Sequence, residues 1–439
     1  MSFTKLPSEL QIEVFSNLSN KDLKNVRAVS TCCRDNASVW LFRSIIACAR
    51  YQAMGAFQKI SLHPIYREYV KEVVFDATEY DRALAENEHE YQRNVDNHND
   101  LKHTVGWFRH AKFKQYQQLY RDQEAMKDDG ILLHTVAKAF EWMPHVHSIV
   151  YCARPRHIPI EKKDMRDILP RVFWHMPPRR FSWTTPENGF HHLIGAVALA
   201  RYTKVREFHV DPYPLDYSQA RPDFGFGFKD FLFANPDYLE SGKCFFRNLT
   251  RVELALTAKT PHSLAPMLLE VSRNMRTLLS EAKELRHLGV RMDLFANLAL
   301  SSTNHRSSFA HFGLSTEWQK LQSINIEGIH ATEDELHGLV HRGRYTLESM
   351  EFSRCVLTSG KWSNIVEEVV YGTQIGAFVL NRVNEEYVGD ERFATMSSED
   401  AEQWYYEGEV GRNAKGERCF EERPGKSVYA WRNLLTGTA

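Results

Sequence analysis

Three places in the 439-residue sequence begin a catalytic motif, and each lacks a residue its chemistry requires. A phosphate-cradling loop needs a glycine five positions before its closing Gly-Lys-Ser; Gly425-Lys426-Ser427 has Phe420 there. A dinucleotide fingerprint opens at Gly225-Phe226-Gly227, but Asp230 stands where the third glycine must let backbone approach pyrophosphate. His89-Glu90 begins as a zinc-protease helix begins, with Arg93 in place of the second histidine ligand. There is no Gly-x-Ser-x-Gly nucleophile elbow. His145 with His147, and His191 with His192, lack cysteine or carboxylate neighbours at metal-ligand spacing. The residues therefore point to no catalytic group, no cofactor and no metal site, and the expectation is that the chain is not an enzyme. Arg154, Arg156, Arg179 and Arg180 with Trp174 and Trp183 form a basic and aromatic region. Guanidinium groups bind carboxylates and phosphates bidentately, so the four arginines are candidate substrate-binding residues for an acidic or phosphorylated segment. A solvated face with one or two packed aromatics is the competing reading.

The elements that position such a surface need a core, and the composition supplies one: 43% hydrophobic and 25% charged residues are ordinary globular usage. The formal net charge of -1 gives no whole-chain attraction to nucleic acid or anionic membrane. The expected partners are proteins, with no nucleic acid and no membrane. Seven scattered cysteines without a Cys-x-x-Cys pair fit reduced thiols, hence a cytoplasmic or nuclear location. The N-terminus lacks a signal-peptide pattern. The most apolar short run, Leu193 to Ala200, is far below the ~20 residues of a membrane span and reads as a buried helix.

Residues 4 to 48 read as three short helices. Leu6-Pro7-Ser8-Glu9 opens the first, since proline suits a first turn whose N–H is unpaired anyway. Leu10, Val14, Phe15 and Leu18 recur at helical spacing. Ser19 or Asn20 can cap the second helix, whose stripe is Leu23, Val26 and Val29. The third is expected over Ala37 to Ile46. This string resembles the F-box, especially the form common in fungal proteins, with Leu6, Pro7, Glu9, Leu10, Val14, Phe15, Leu18, Asp22, Leu23, Val26 and Val29 in register. Cys33 replaces a usual aromatic and Asn36 a usual apolar residue, which should weaken packing of the second helix on the third. The resemblance implies binding to the Skp adaptor and, through it, a cullin. The implied adaptor-binding residues are Leu6, Pro7, Leu10, Phe15 and Trp40, with core roles equally open for Phe15 and Trp40. It also implies that the rest of the chain recruits an unknown protein substrate for ubiquitination.

After this module a kernel recurs: apolar, two of any kind, apolar, one of any kind, apolar. It starts at Val70, Val146, Val205, Leu249, Leu285, Leu321 and Leu347, at intervals of 76, 59, 44, 36, 36 and 26 residues. That is the strand kernel of a leucine-rich repeat, whose regular period is about 20–29 residues, so most copies must hold insertions. Helical stretches are expected over 131–143, 190–201, 261–282, 332–341 and 362–371. The expected fold class is α/β: the three-helix F-box over 1–50, then a leucine-rich-repeat-like curved solenoid of mainly parallel strands and helices over 51–389. An ordinary non-repetitive α/β domain is the alternative. Residues 80–130, charged and polar with a weak stripe of Phe113, Tyr116, Leu119 and Tyr120, read as an exposed helical insertion. Residues 390–439 read as a partly ordered tail. The functional expectation is a substrate-recognition subunit of a Skp–cullin–F-box ubiquitin ligase. The alternatives are a Skp-binding scaffold acting without the cullin, and an enzyme whose site has no motif.

Overall fold

The computed structural model describes residues 6–77, 79–97, 107–152, 189–210, 226–256, 265–292, 309–385, 406–412 and 418–422. They fall into two units, the first containing the described residues up to Val210 together with Ala234–Phe245, the second the remainder.

The first unit opens with α1 (Ser8–Phe15), α2 (Asn20–Val26) and α3 (Thr31–Leu41). Here the sequence expectation needs correction: Ser44, Ile45 and Ile46 do not extend the third helix but form β1 (Ser44–Cys48). A short apolar run suits a helix or a strand equally, and β1 is decided by its partner, β2 (Glu72–Asp76), which pairs with it in parallel, Ile45 opposite Val73. Between them lie α4 (Tyr51–Leu62) and α5 (Tyr66–Tyr69). An insertion of α6 (Arg82–Glu86), α7 (Glu88–Asn97) and α8 (Trp107–Asp128) precedes α9 (Ile131–Trp142) and β3 (Ser148–Cys152). Then come α10 (Gly189–Leu199), which buries Leu193, Ile194, Ala196 and Val197 of the apolar run but leaves Leu199 exposed, and β4 (Glu207–Val210). The strands pair in chain order, all parallel.

One recurring contact sets the register. The Arg43 carbonyl accepts from the backbone N–H groups of both Lys71 and Glu72, the Lys71 carbonyl from His147 and Ser148, and the His147 carbonyl from Arg206 and Glu207, at 2.8–3.2 Å. Arg43 thus occupies in its copy the place of Lys71 and His147, so Phe42-x-x-Ile45-x-Ala47 is a further kernel, 28 residues ahead of Val70.

The insertion is helical but less exposed than its composition suggests. Tyr80, Leu84, Ala85, Tyr91, Phe113 and Tyr116 form a buried cluster, with Leu119 and Tyr120 partly buried against it. Burial pushes the Tyr91 and Tyr116 phenols above their ordinary range. Three polar contacts tie α8 to the chain leaving β2. The Gln123 Oε1 accepts from Tyr80 N–H at 2.7 Å, the Tyr116 hydroxyl from Asp81 N–H at 2.7 Å, and Lys127 Nζ pairs with Glu79 at 3.2 Å.

The second unit continues from α11 (Pro236–Phe246), the helix at the boundary, with β5 (Arg251–Leu256), α12 (Ala265–Glu281), β6 (His287–Met292), β7 (Ser323–Glu327) and β8 (His330–Thr332). It ends with α13 (Glu333–Gly343), β9 (Ser349–Ser353), β10 (Val356–Ser359), α14 (Trp362–Gly372), β11 (Ala377–Glu385) and the pair β12 (Tyr406–Arg412) and β13 (Arg418–Glu422). β5, β6, β7, β9 and β11 are parallel neighbours in that order. β12 and β13 add antiparallel, so part of the expected tail is a hairpin on β11. The double-accepting carbonyl recurs at Thr250, Arg286, Gln322 and Glu348, the last receiving Gly376 and Ala377. Ile375-x-x-Phe378-x-Leu380 is therefore one more kernel, all three positions buried.

Every kernel's second and third apolar residues are buried, from Val73 and Phe75 through Met350 and Phe352. The alternate residues carry the other face. In the second unit that face is polar and half-exposed, with Asn325 donating to Glu351 at 2.9 Å, Ser349 to Ser323 at 2.8 Å, and Arg291 paired with Glu327 at 3.0 Å. The backbone enters the left-handed region at Gly328 and Arg354, just past β7 and β9, and at Arg382 within β11, equivalent positions in successive copies.

Candidate protein-docking surface

The three N-terminal helices are held by caps and a small core. The Ser19 hydroxyl accepts from Asp22 N–H at 3.2 Å and Ser30 from Cys33 N–H at 3.1 Å, so each satisfies one orphan amide at a helix start. Phe15, Leu23, Cys33 and Ala37 are buried together, with Leu18, Val26, Trp40 and Leu41 against them. Cys33 fills its core position as a small hydrophobe. Asn36 faces α1 rather than α2: its amide donates to Gln11 Oε1 at 3.2 Å, while Gln11 Nε2 donates to the Leu6 carbonyl at 2.8 Å. Both departures from the apolar pattern are thus absorbed, one by packing and one by a hydrogen-bonded pair.

The candidate adaptor-binding residues separate by depth. Phe15 is 3% exposed and belongs to the core. Leu10 is 52% exposed and Val14, one turn on, 45%. With the exposed Pro7 one turn earlier they form an apolar strip along one side of α1. Leu6 is partly buried. Val29, expected in a core stripe, is instead exposed in the turn after α2. Trp40 is half-buried at the end of α3, donating from Nε1 to the Ile12 carbonyl at 2.7 Å, and the Arg43 guanidinium lies 4.8 Å over its ring.

Exposed apolar side chains on a small helical module are what a helical partner covers: they lose water on contact and no polar group is stranded. A match of residues 3–37 to the F-box domain family model decides what the module is. The chain carries an F-box. Comparison with curated proteins found no match. The F-box match ends within α3, and the neighbouring elements are joined to it tightly. Arg27, just after α2, donates to the Tyr66 hydroxyl at 3.2 Å, with its guanidinium over the Phe42 and Tyr66 rings. Phe42 and His63 stack on Tyr66 with centroids 4.2 and 3.8 Å away. The F-box is fixed to the strand layer by this stack and by the two-residue passage from α3 into β1.

Arg154, Arg156, Arg179 and Arg180 lie outside the described residues. His145 pairs with Glu68 at 3.3 Å, and His191 stacks on Tyr238. Among the described residues no group of three or more histidine, cysteine or acidic side chains is arranged to hold a metal, and no helix is long and apolar enough to cross a membrane. Asp230 accepts from Gly227 N–H at 2.7 Å and closes a tight turn there, in place of a phosphate loop.

Proposed function

We propose that this chain is a substrate-recognition subunit of a Skp–cullin–F-box ubiquitin ligase, docking through the Pro7, Leu10 and Val14 strip and presenting a protein substrate on the remainder of the chain. The observation that carries the reading is the F-box match over 3–37 on a module whose α1 keeps Leu10 and Val14 half-exposed. F-box domains bind the Skp adaptor, and apolar anchors of this kind concentrate binding energy in few residues. Leu6 and Trp40 are secondary contacts in this reading, and Phe15 supports the module from within. The F-box occupies 1–50, the receptor body 51–389 and the tail 390–439, with the strand-and-helix copies read as irregular leucine-rich repeats. Arg154, Arg156, Arg179 and Arg180 are retained as substrate contacts. The assignment gives the chain no reaction of its own and places it in the cytoplasm or nucleus.

Leu10→Asp with Val14→Asp tests the docking. The variant should fold, because both side chains face water, and should no longer co-purify with the adaptor. Undiminished capture by the folded variant refutes it. A scaffold acting without the cullin is separated by the same purification, since cullin accompanies the adaptor only if a ligase assembles.

A further inference from the structure

β1 is the outermost strand of the first unit: β2 pairs with one edge of it, and among the described residues nothing pairs with the other. In later copies that place is filled. The N–H groups of Glu72, Ser148 and Glu207, and in the second unit those of His287 and Ser323, each donate to a carbonyl of the copy before, at 2.9–3.2 Å. Ser44 holds their position in the first copy, opposite Glu72, and has no copy before it.

The phase of the ladder leaves further groups in the same state. Parallel strands turn the main chain of alternate residues toward each neighbour. Glu72 donates to the Arg43 carbonyl, so Arg43, Ile45 and Ala47 direct their main-chain groups at β2. Those of Ser44 and Ile46 point the other way, and among the described residues they meet no backbone partner. Solvent reaches this edge: Ser44 is exposed and Ile46 is 40% exposed, whereas Ile45 and Ala47, on the helix side, are buried. Open edges attract unwanted strands, and proteins blunt them with proline, charge or a bulge. Ser44-Ile45-Ile46-Ala47-Cys48 has none of these, and its register with β2 is unbroken.

We infer that the β1 edge is a strand-addition site: an extended segment of the protein this chain holds pairs its main chain with Ser44 and Ile46 and lays an apolar side chain beside Ile46. The inference rests on the reading of the chain as a receptor, and adds where and in what conformation part of the held protein sits. The backbone chemistry names the occupant. Donors and acceptors recur at the two-residue spacing of a strand, about 6.6 Å, which an extended polypeptide repeats. Main-chain pairing supplies affinity, and Ile46 supplies selectivity, since a β-branched or aromatic neighbour gains most beside it. On the helix side, where Ile45 and Ala47 are already covered, small residues fit best.

The test uses the full chain and fluorescein-labelled peptides Lys-Ala-X-Ala-X-Ala-Lys, with X as Val, Ile, Tyr or Phe, followed by anisotropy. At least one should bind saturably, and the peptide with X as Ser should bind about fivefold more weakly. Methylating the backbone nitrogens of every second residue decides the mode. One alternating set faces β1, so its methylation should abolish binding; the other faces away, so its methylation should change affinity less than about twofold. Ile46→Pro removes the outward donor and spares the bonds to β2, because proline fits an edge strand where its nitrogen faces solvent. It should abolish peptide binding while leaving the melting temperature and adaptor capture unchanged. If it melts early, the methylated peptides still decide, since they alter nothing in the protein. Absence of saturable binding by all four peptides overturns the inference. So does equal sensitivity to the two methylated sets, or undiminished binding by a folded Ile46→Pro chain. A wild type that sediments as a dimer and becomes a monomer on Ile46→Pro overturns it too, because the edge then belongs to a second copy. Adaptor capture is read on the same proteins. A wild type that binds peptide but captures no adaptor sinks the ligase reading and leaves the edge assignment standing; the converse result sinks the edge assignment alone.

Discussion

The amide of Asn36 on α3 donates to the side-chain oxygen of Gln11 on α1 across 3.2 Å, beside the apolar core of Phe15, Leu23, Cys33 and Ala37. Both are buried, and apart from the weak Cys32 thiol each is the other's side-chain partner. Gln11→Leu would leave the Asn36 amide only the weak Cys32 Sγ acceptor at 3.6 Å and should cost about 1 kcal/mol. Gln11→Leu with Asn36→Leu removes both polar groups and should recover most of that loss. A double-mutant cycle by urea unfolding reads the coupling. Additive costs would show that the pair does not hold α1 on α3.

Phe15→Ala should destabilise the F-box by about 3–5 kcal/mol, the usual cost of deleting a buried phenylalanine. Leu10→Ala, at a half-exposed position, should stay within about 0.5 kcal/mol of wild type. The two residues therefore differ in kind: loss of adaptor capture in Phe15→Ala is to be accompanied by a lowered melting temperature, and in Leu10→Ala it is not.

That distinction is illegible in the sequence for a physical reason. In an eight-residue helix Leu10, Val14 and Phe15 all satisfy one broad apolar stripe, and only the crossing of α3 decides which is covered. The strands after the F-box are legible because the kernel buries the same two positions in every copy. The first copy is hidden because only Arg43-Ser44 separates Val39-Trp40-Leu41-Phe42 from Ile45-Ile46, and short apolar runs carry no period that separates helix from strand. The last, at Ile375, carries the same signal as the others and is absent from the sequence expectation all the same. The insertion reads as exposed because much of its core is tyrosine, an amphipathic residue: the Tyr116 hydroxyl reaches the Asp81 N–H while its ring packs.

Gly328 turns the chain after β7 at φ +71°, and a Cβ there would sit 2.4 Å from the Met292 carbonyl oxygen. Gly328→Ala should therefore destabilise the second unit by about 2 kcal/mol or more, combining a left-handed residue with a backbone clash. The equivalent turn in the next copy holds Arg354 at φ +52°, so the conformation alone tolerates a side chain and the Met292 contact supplies the difference. Thermal unfolding checks it: an unchanged midpoint for Gly328→Ala would place that clash wrongly.

His337 on α13 lies between two carboxylates, its Nε2 3.2 Å from Glu333 and its Nδ1 hydrogen-bonded to Glu368 on α14. Burial by itself would lower the imidazole's pKa, but the hydrogen bonds and charges of Glu368 and Glu333 outweigh it and raise the value above the ordinary one. A histidine raised on folding stabilises the fold fully below its unfolded pKa, about 6.5, and the contribution fades as pH climbs through the raised value. Glu333 moves the other way. Burial would raise its carboxyl, yet Asn364, the Lys361 N–H and His337 together lower it, so its contribution is lost only in acid and does not overlap that window. His337 is 34% exposed, and solvent screening limits the pair to about 0.2–1 kcal/mol. Wild type should therefore lose stability from about pH 6.5 upward relative to His337→Gln, whose carboxylate neighbours keep a hydrogen-bond donor but no titrating charge. Urea unfolding of both proteins at pH 6 and pH 8.5 gives the comparison. A difference that stays constant between the two pH values would mean that these two carboxylates do not raise the imidazole's hold on its proton.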